Sequence, residues 1–247
     1  MVQVRFLHSA LMNQFDSEYI NKFQKHVDVT KIPSSEIKSW LLEKHYAHTI
    51  PAVIHSFGLF INGDLEGVCC YGSPACPSNN SLGKFKQIEL VRLVVNEGLL
   101  KNTLSHFVSS TFKLLPKPLS LISYADNNMG HHGYIYQSTN WLYTGLGEAV
   151  SNWVDDNGNP VHNRTMSEKA KEYPNLSAVE VAHKLGYQKV IGSSKYRYYY
   201  FIGNKRDKRK WLYELTSKYN ILPYPKGENR RYKMPKDTIK TTNLLKF

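Results

Sequence analysis

The sequence predicts a mixed α/β sheet domain carrying a basic extension at its C-terminal end. Extended apolar runs alternate with helix-length amphipathic segments through the middle of the chain, the pattern of one sheet covered by helices. At 247 residues and 41% hydrophobic content the chain can bury a full core. From Gly203 to Phe247 there are thirteen Lys/Arg against four Asp/Glu, a net of +9 out of +12 for the whole chain. The expected division is a catalytic domain over 1–202 and an extension over 203–247.

Taken in order, residues 1–32 are mixed in character and suggest no element. Pro33-Ser34-Ser35 opens a helix with a serine as its cap, and Ile37, Trp40, Leu41 and Lys44 lie along one side. The helix runs into His45-Tyr46-Ala47-His48 and ends before Pro51. Ser56–Ile61 and Leu65–Tyr71 flank Asn62-Gly63, whose tolerance of positive φ predicts a type I′ hairpin. A glycine-, proline- and serine-rich connection leads to Gln87–Asn96, nearly continuously apolar and therefore a central strand. Glu89 and Arg92 interrupt that strand on opposite faces, and reach one pocket only if a bulge intervenes.

A helix follows over 102–115, stopping before Pro116 and Pro118. Leu119–Ala125 is the next strand, and a helix over about 131–143 completes a β-α-β-α run. Asp155-Asp156-Asn157-Gly158-Asn159 is a hairpin tip. Ser177-Ala178-Val179-Glu180 is a capping box, its helix closed by Gly186. Lys195–Ile202 is an aromatic strand leading into the basic tail.

No apolar run is long enough to span a bilayer, and the N-terminus lacks the pattern of a signal peptide. Cys69, Cys70 and Cys76 make no even disulfide framework, which fits a reducing compartment. A cytoplasmic protein is the expectation. In the tail, Trp211, Tyr213, Tyr219, Tyr224 and Tyr232 are interleaved with the positive charge. Phosphate neutralisation plus flat rings suits nucleic acid better than plain solvation.

Candidate chemistry concentrates between Ser123 and Gly145. Asp126 ends a central strand, where ligands gather in open α/β sheets. On a straight helix His132, Tyr136, Asn140 and Tyr143 would share one stripe of imidazole, phenol and amide groups. Asn102 and Ser105 would cap the preceding helix and offer amides to an anion. His45 and His48 could share a metal, although surface histidines explain the pair as well. Cys70 and Cys76 read as free thiols before metal ligands, since no second pair exists.

These residues fall into blocks that resemble the Mom family of bacteriophage DNA-modification proteins. The blocks are Lys44-His45-Tyr46, the hairpin Phe57 to Gly72, Glu89-Leu-Val-Arg92-Leu and Lys101-Asn102-Thr103-Leu104-Ser105. They continue with Ser123-Tyr124-Ala125-Asp126, Gly130-His131, Ile135-Tyr136-Gln137 and Thr139-Asn140-Trp141. Lys195-Tyr196-Arg197-Tyr198 and Pro223-Tyr224-Pro225 close the series.

The resemblance implies conversion of adenine in duplex DNA to N6-(carbamoylmethyl)adenine, protecting phage DNA from restriction inside the bacterial host. It also implies the fold of GNAT acyltransferases, a mixed sheet splayed around a cofactor groove, with Gln87–Asn96 and Leu119–Ala125 beside the groove. The Arg/Gln-x-x-Gly-x-Gly/Ala signature that cradles pyrophosphate in those enzymes has no match in Val95–Lys101. Acyl-CoA is therefore not the expected donor, and the donor of the carbamoylmethyl group stays open.

The candidate catalytic residues are His45, Tyr46, Asp126, His131, Tyr136 and Asn140, with His45, His131 or Asp126 as the base. Anion or cofactor contacts go to Asn102, Ser105, Ser123 and Tyr124. Gln137, Trp141 and Tyr143 would hold a flipped base, while Lys195, Arg197, Lys205, Arg206, Lys208 and Arg209 would hold the DNA backbone. If a metal such as iron is needed, its set is His45, Asp126 and His131. The competing readings are a GNAT-type acyltransferase acting on protein, RNA or a small amine, and a nucleic-acid-binding protein without catalysis.

Overall fold

The computed structural model describes residues 27–74, 82, 86–127, 130–147, 151–161, 163–191 and 194–227. Cys76, His162, Tyr232 and the end of the basic tail lie outside them. The strands are β1 (Val27–Lys31), β2 (Val53–Ile61), β3 (Asp64–Gly72), β4 (Gln87–Val95), β5 (Leu119–Asp126), β6 (Leu142–Leu146), β7 (Ser151–Val154), β8 (Pro160–Val161), β9 (Gln188–Ile191) and β10 (Lys195–Ile202). The helices are α1 (Ser34–Ser39, continuing as a π turn over Trp40–Lys44), α2 (Thr103–Leu114), α3 (Tyr134–Ser138), α4 (Asn163–Ala170), α5 (Ala178–Lys184) and α6 (Lys205–Lys218).

Seven strands form one mixed sheet in the order β1-β2-β3-β4-β5-β10-β6. The expected mixed α/β architecture is the one observed. Neighbours are antiparallel except β4 and β5, which run parallel across the α2 crossover. The β2–β3 turn has the expected geometry, with φ of 54° at Asn62 and 91° at Gly63.

Strand alternation divides the core between two faces. On one, α2 buries Phe107, Val108 and Phe112 against Phe57, Leu59, Tyr71 and Leu121. On the other, Ile37, Trp40 and Leu41 of α1 and its π turn cover Phe60, Val68 and Val94. Beside them Trp211 and Leu215 of α6 cover Ile122, Tyr199 and Phe201. A smaller sheet, β8-β7-β9, packs Trp153 on Met166 of α4 and Ala182 of α5. Its Asp155 turn and the Ser177/Glu180 capping box are as the sequence predicts.

The feature that makes a site is the parting of β4 and β5. They pair only over Gln87–Glu89 and Ser120–Ile122. Beyond that, Cys70 faces Arg92 while Tyr71 faces Leu90, so Val91 is an extra residue bulged out of β4. The Leu90 carbonyl then accepts from the Ser123 hydroxyl at 2.8 Å, and the Ser123 and Tyr136 hydroxyls are hydrogen-bonded at 2.7 Å. Buried side chains replace the backbone ladder and let the strands diverge.

One expectation fails here. The helix over 131–143 is reduced to the five residues of α3. Gly133 at φ 76° starts it late, and Asn140 at φ 60° ends it. A Cβ at Gly133 would stand 2.5 Å from the Tyr198 ring, so only glycine fits this left-handed position. Leu142 and Tyr143 join β6 instead, and the stripe of His132, Tyr136, Asn140 and Tyr143 does not exist.

In the basic extension, α6 buries Trp211 and Leu215 against the sheet, and Tyr219 to Gly227 straps back over β6 and α3. The strap is held by Leu222 N–H to the Tyr143 carbonyl (2.9 Å), Tyr224 O–H to the Trp141 carbonyl (2.8 Å) and Tyr134 O–H to the Gly227 carbonyl (2.6 Å).

Candidate active site

The π turn aims His45 and Tyr46. The His45 N–H reaches back five residues to the Trp40 carbonyl at 3.1 Å, a widened turn of the kind found at functional sites. Lys44 anchors it: its buried ammonium sits 4.4 Å from the Trp40 ring centroid and donates to Asn96, which donates in turn to Glu66 at 2.7 Å. Burial holds the Lys44 pKa below its usual range, against the opposing pull of Glu66 and Glu43.

Tyr46 lies between two imidazoles. It stacks on His45 with centroids 4.4 Å apart and meets His131 edge-on at 5.7 Å. His131 is set by its N–H to the Asp126 carbonyl at 3.1 Å. The Asp126 carboxylate pairs with Lys195 at 3.2 Å. From β4, Arg92 reaches Thr49 Oγ1 at 2.9 Å and the Val91 carbonyl at 2.7 Å. The bulge brings Arg92 within the electrostatic reach of Glu89, so the two act on one region after all.

The protonation pattern follows. Burial first, then Arg92, His48 and His131, lowers the His45 pKa to about 3. Its Nδ1 accepts from the Ala47 N–H at 3.0 Å, which leaves the ring proton on Nε2. His45 is therefore a neutral donor, not a base. His131 is also held below the usual imidazole range by burial, but Asp126 opposes that shift and would support its cation. Burial and Asp126 raise the Tyr46 phenol above its usual range, so it keeps its proton.

A neutral imidazole backed by a carboxylate can take a proton, while Tyr46 and His45 can give hydrogen bonds. Because the folded His45 pKa lies below the unfolded 6.5, the unfolded chain binds the extra proton on acidification. Stability contributed by this ring is complete above pH 6.5 and falls as pH drops from about 6.5 to about 3. Urea midpoints measured across that window should decline, and the decline should be shallower in His45→Gln.

Other predicted residues stand elsewhere. Ser123 is fully buried in the β4–β5 wedge. Tyr136 is buried beneath it, its phenol driven above the usual range by burial. Tyr124 packs on the opposite face with the cluster under α6. Trp141 is fully buried, and Tyr143 packs on Tyr198 with centroids 5.2 Å apart, so neither ring is presented to a base.

The Gln137 amide donates to the His132 and Pro225 carbonyls at 3.0 and 3.1 Å. Arg197 donates to Thr144 and lies 3.7 Å over the Tyr219 ring, which makes it a clamp for the strap. Lys205, Arg206 and Arg209 are exposed on α6. Asn102, Ser105, Asn140 and Lys208 meet in a separate groove of about 680 Å³. Asn102 makes no cap, since it sits at φ 69° with Ser105 donating back to its carbonyl at 2.9 Å.

Among the described residues no group of three or more His, Cys, Asp or Glu side chains could hold a metal ion. His45, Asp126 and His131 do not form such a group in this arrangement, and His48 turns to the Leu42 carbonyl at 2.7 Å. The bulge at Val91 meets the condition under which Glu89 and Arg92 share a face of β4. The sequence signal for this was the pair of charges interrupting an apolar strand.

The model of the Mom protein family matches residues 26–226. The chain belongs to this family. The match takes in β1, every strand of the splayed sheet, the cluster around Tyr46 and the strap. The chain is also similar to the methylcarbamoylase Mom of Escherichia phage Mu, with 24% identity over 233 residues, 90% of this chain and 93% of that protein. Among solved structures it is similar to an IAA acetyltransferase from Bacillus cereus (14% identity, 71% of this chain and 99% of that one, TM-score 0.36). An acetyltransferase from Bacillus subtilis in complex with CoA is similar at 10% identity, 71% and 97% coverage and a TM-score of 0.34. No helix among the described residues of this Mom-family chain is long and apolar enough to cross a membrane.

Proposed function

We propose that this Mom-family chain is a DNA-modifying transferase that attaches a carbamoylmethyl group to adenine N6 in duplex DNA and so protects it from restriction. The observation that carries the reading is Tyr46 held between His45 and His131, with Asp126 behind, at the point where β4 and β5 part. Membership of the Mom family supports DNA as the substrate class.

Adenine N6 inside a base pair is out of reach of a recessed cluster, so the base is flipped out to meet it. The exocyclic amine is a poor nucleophile because its lone pair is delocalised into the ring. It is helped if its proton is removed as the N6–CH2 bond forms and the donor's leaving group departs. His131 is the proton acceptor, with Asp126 stabilising the imidazolium. Tyr46 and neutral His45 donate hydrogen bonds to the base or to the electrophile. The α6 face bearing Lys205, Arg206 and Arg209 meets the phosphate backbone. The test is the nucleoside content of DNA from cells expressing the chain: a carbamoylmethyl derivative of deoxyadenosine is expected, and unmodified DNA alongside abundant folded protein would refute the reading.

A further inference from the structure

The groove beside α2 lies apart from the Tyr46 cluster and has no part in the chemistry above. Lys113 and Lys117 enter it from the end of α2 and the loop beyond, and Lys208 enters from α6. The end of β10, with Ile202 opposite Leu119 at the start of β5, lines the groove as well. Among the residues that line the groove there is no carboxylate. Lys113, Lys117 and Lys208 are all exposed, so they give the groove of about 680 Å³ a positive lining that suits a polyanion.

The wall is aromatic as well as basic. Phe112 and Tyr200 stack there with centroids 4.3 Å apart and 24° between planes. From Asn102 to Lys113 the groove follows α2 for about 17 Å, at about 1.5 Å per residue. That is about two to three phosphate steps along one DNA strand, whose phosphates rise about 3.4 Å each but wind about 7 Å apart. Lys208 shares its helix with the exposed Lys205, Arg206 and Arg209.

We propose that this groove is a backbone track, in which Lys113, Lys117 and Lys208 neutralise consecutive phosphates of one DNA strand. The inference rests on the DNA reading above only for the identity of the polymer, because binding is measured without catalysis. The experiment compares the full chain with two triple variants, Lys113→Gln/Lys117→Gln/Lys208→Gln and a charge-matched control, Lys38→Gln/Lys184→Gln/Lys189→Gln, at positions outside the groove. Affinity for a duplex oligonucleotide is followed by fluorescence anisotropy against salt concentration, and thermal melts confirm folding.

Each phosphate contact contributes about 0.9 to the slope of log affinity against log salt, so the groove variant should lose about 2 to 3 from that slope. The control should keep its slope within about 1. Equal slopes in the two variants would overturn the proposal, as would absence of DNA binding by the unsubstituted chain. ADP is the probe for a mononucleotide: a groove variant that loses ADP binding but keeps the DNA slope also overturns it. A chain that binds DNA through the groove and never modifies it would sink the transferase reading alone.

Discussion

Replacing Asp126 with asparagine is expected to lower the yield of modified adenine about 100- to 1,000-fold in a protein that stays folded. Asparagine keeps the shape of the side chain and removes its charge. Asp126 is the group that favours the His131 imidazolium against the cost of burial, so losing it weakens the one ring able to accept a proton. The same change breaks the ion pair with Lys195, whose side chain is 50% exposed, and such pairs are worth less than about 1 kcal/mol. Stability and activity should therefore separate. Modified deoxyadenosine per unit of soluble protein, read with a thermal melt, tests both. Normal modification by the variant would remove Asp126 and His131 from the chemistry.

Replacing Trp141 with alanine is expected to cost about 3–5 kcal/mol of stability. Its ring is fully buried and packs on Tyr136, Tyr200 and Phe112 with centroids 5.1, 5.7 and 6.0 Å away. For a chain of this size the melting temperature should fall by about 6–20 °C. Trp141→Phe should be far milder, because among the described residues the indole N–H has no hydrogen-bond partner to lose. A residue that stacked a flipped base would behave otherwise: alanine would leave the melt unchanged and weaken DNA binding. A Trp141→Ala protein with a normal melt would contradict the packing described.

Where the backbone obeyed period and punctuation, the elements were legible. Asn62-Gly63 forced its turn, Ser177 and Glu180 capped their helix, and the apolar strands 87–96 and 119–125 lie at the middle of the sheet. The segment after Asp126 was misread for a physical reason. The helical period is interrupted by left-handed angles at Gly133 and Asn140, and at Gly133 the close approach is to Tyr198, far away in sequence. Polar residues there looked like a catalytic stripe because nothing local shows that the Gln137 amide is spent on the His132 and Pro225 carbonyls.

The candidate site was half legible. His45, Tyr46, Asp126 and His131 come together, although they arrive from a π turn and a strand end rather than from one helix. The bulge at Val91, which brings Glu89 and Arg92 to bear on one region, depends on pairing with Cys70 and Tyr71 and leaves no local trace. Basic residues were easier to find than to assign. Lys195 and Arg197 are held by Asp126 and by Thr144 with Tyr219, whereas Lys113 and Lys117, inconspicuous in sequence, face a groove.

The central claim is a covalent change on a DNA base, and tandem mass spectrometry of nucleosides from plasmid DNA tests it most directly. DNA from bacteria expressing the chain should contain a deoxyadenosine derivative carrying one carbamoylmethyl group, with the fragments placing that group on the base at N6. Deoxyadenosine without any adduct, from cells rich in the folded protein, would contradict the account.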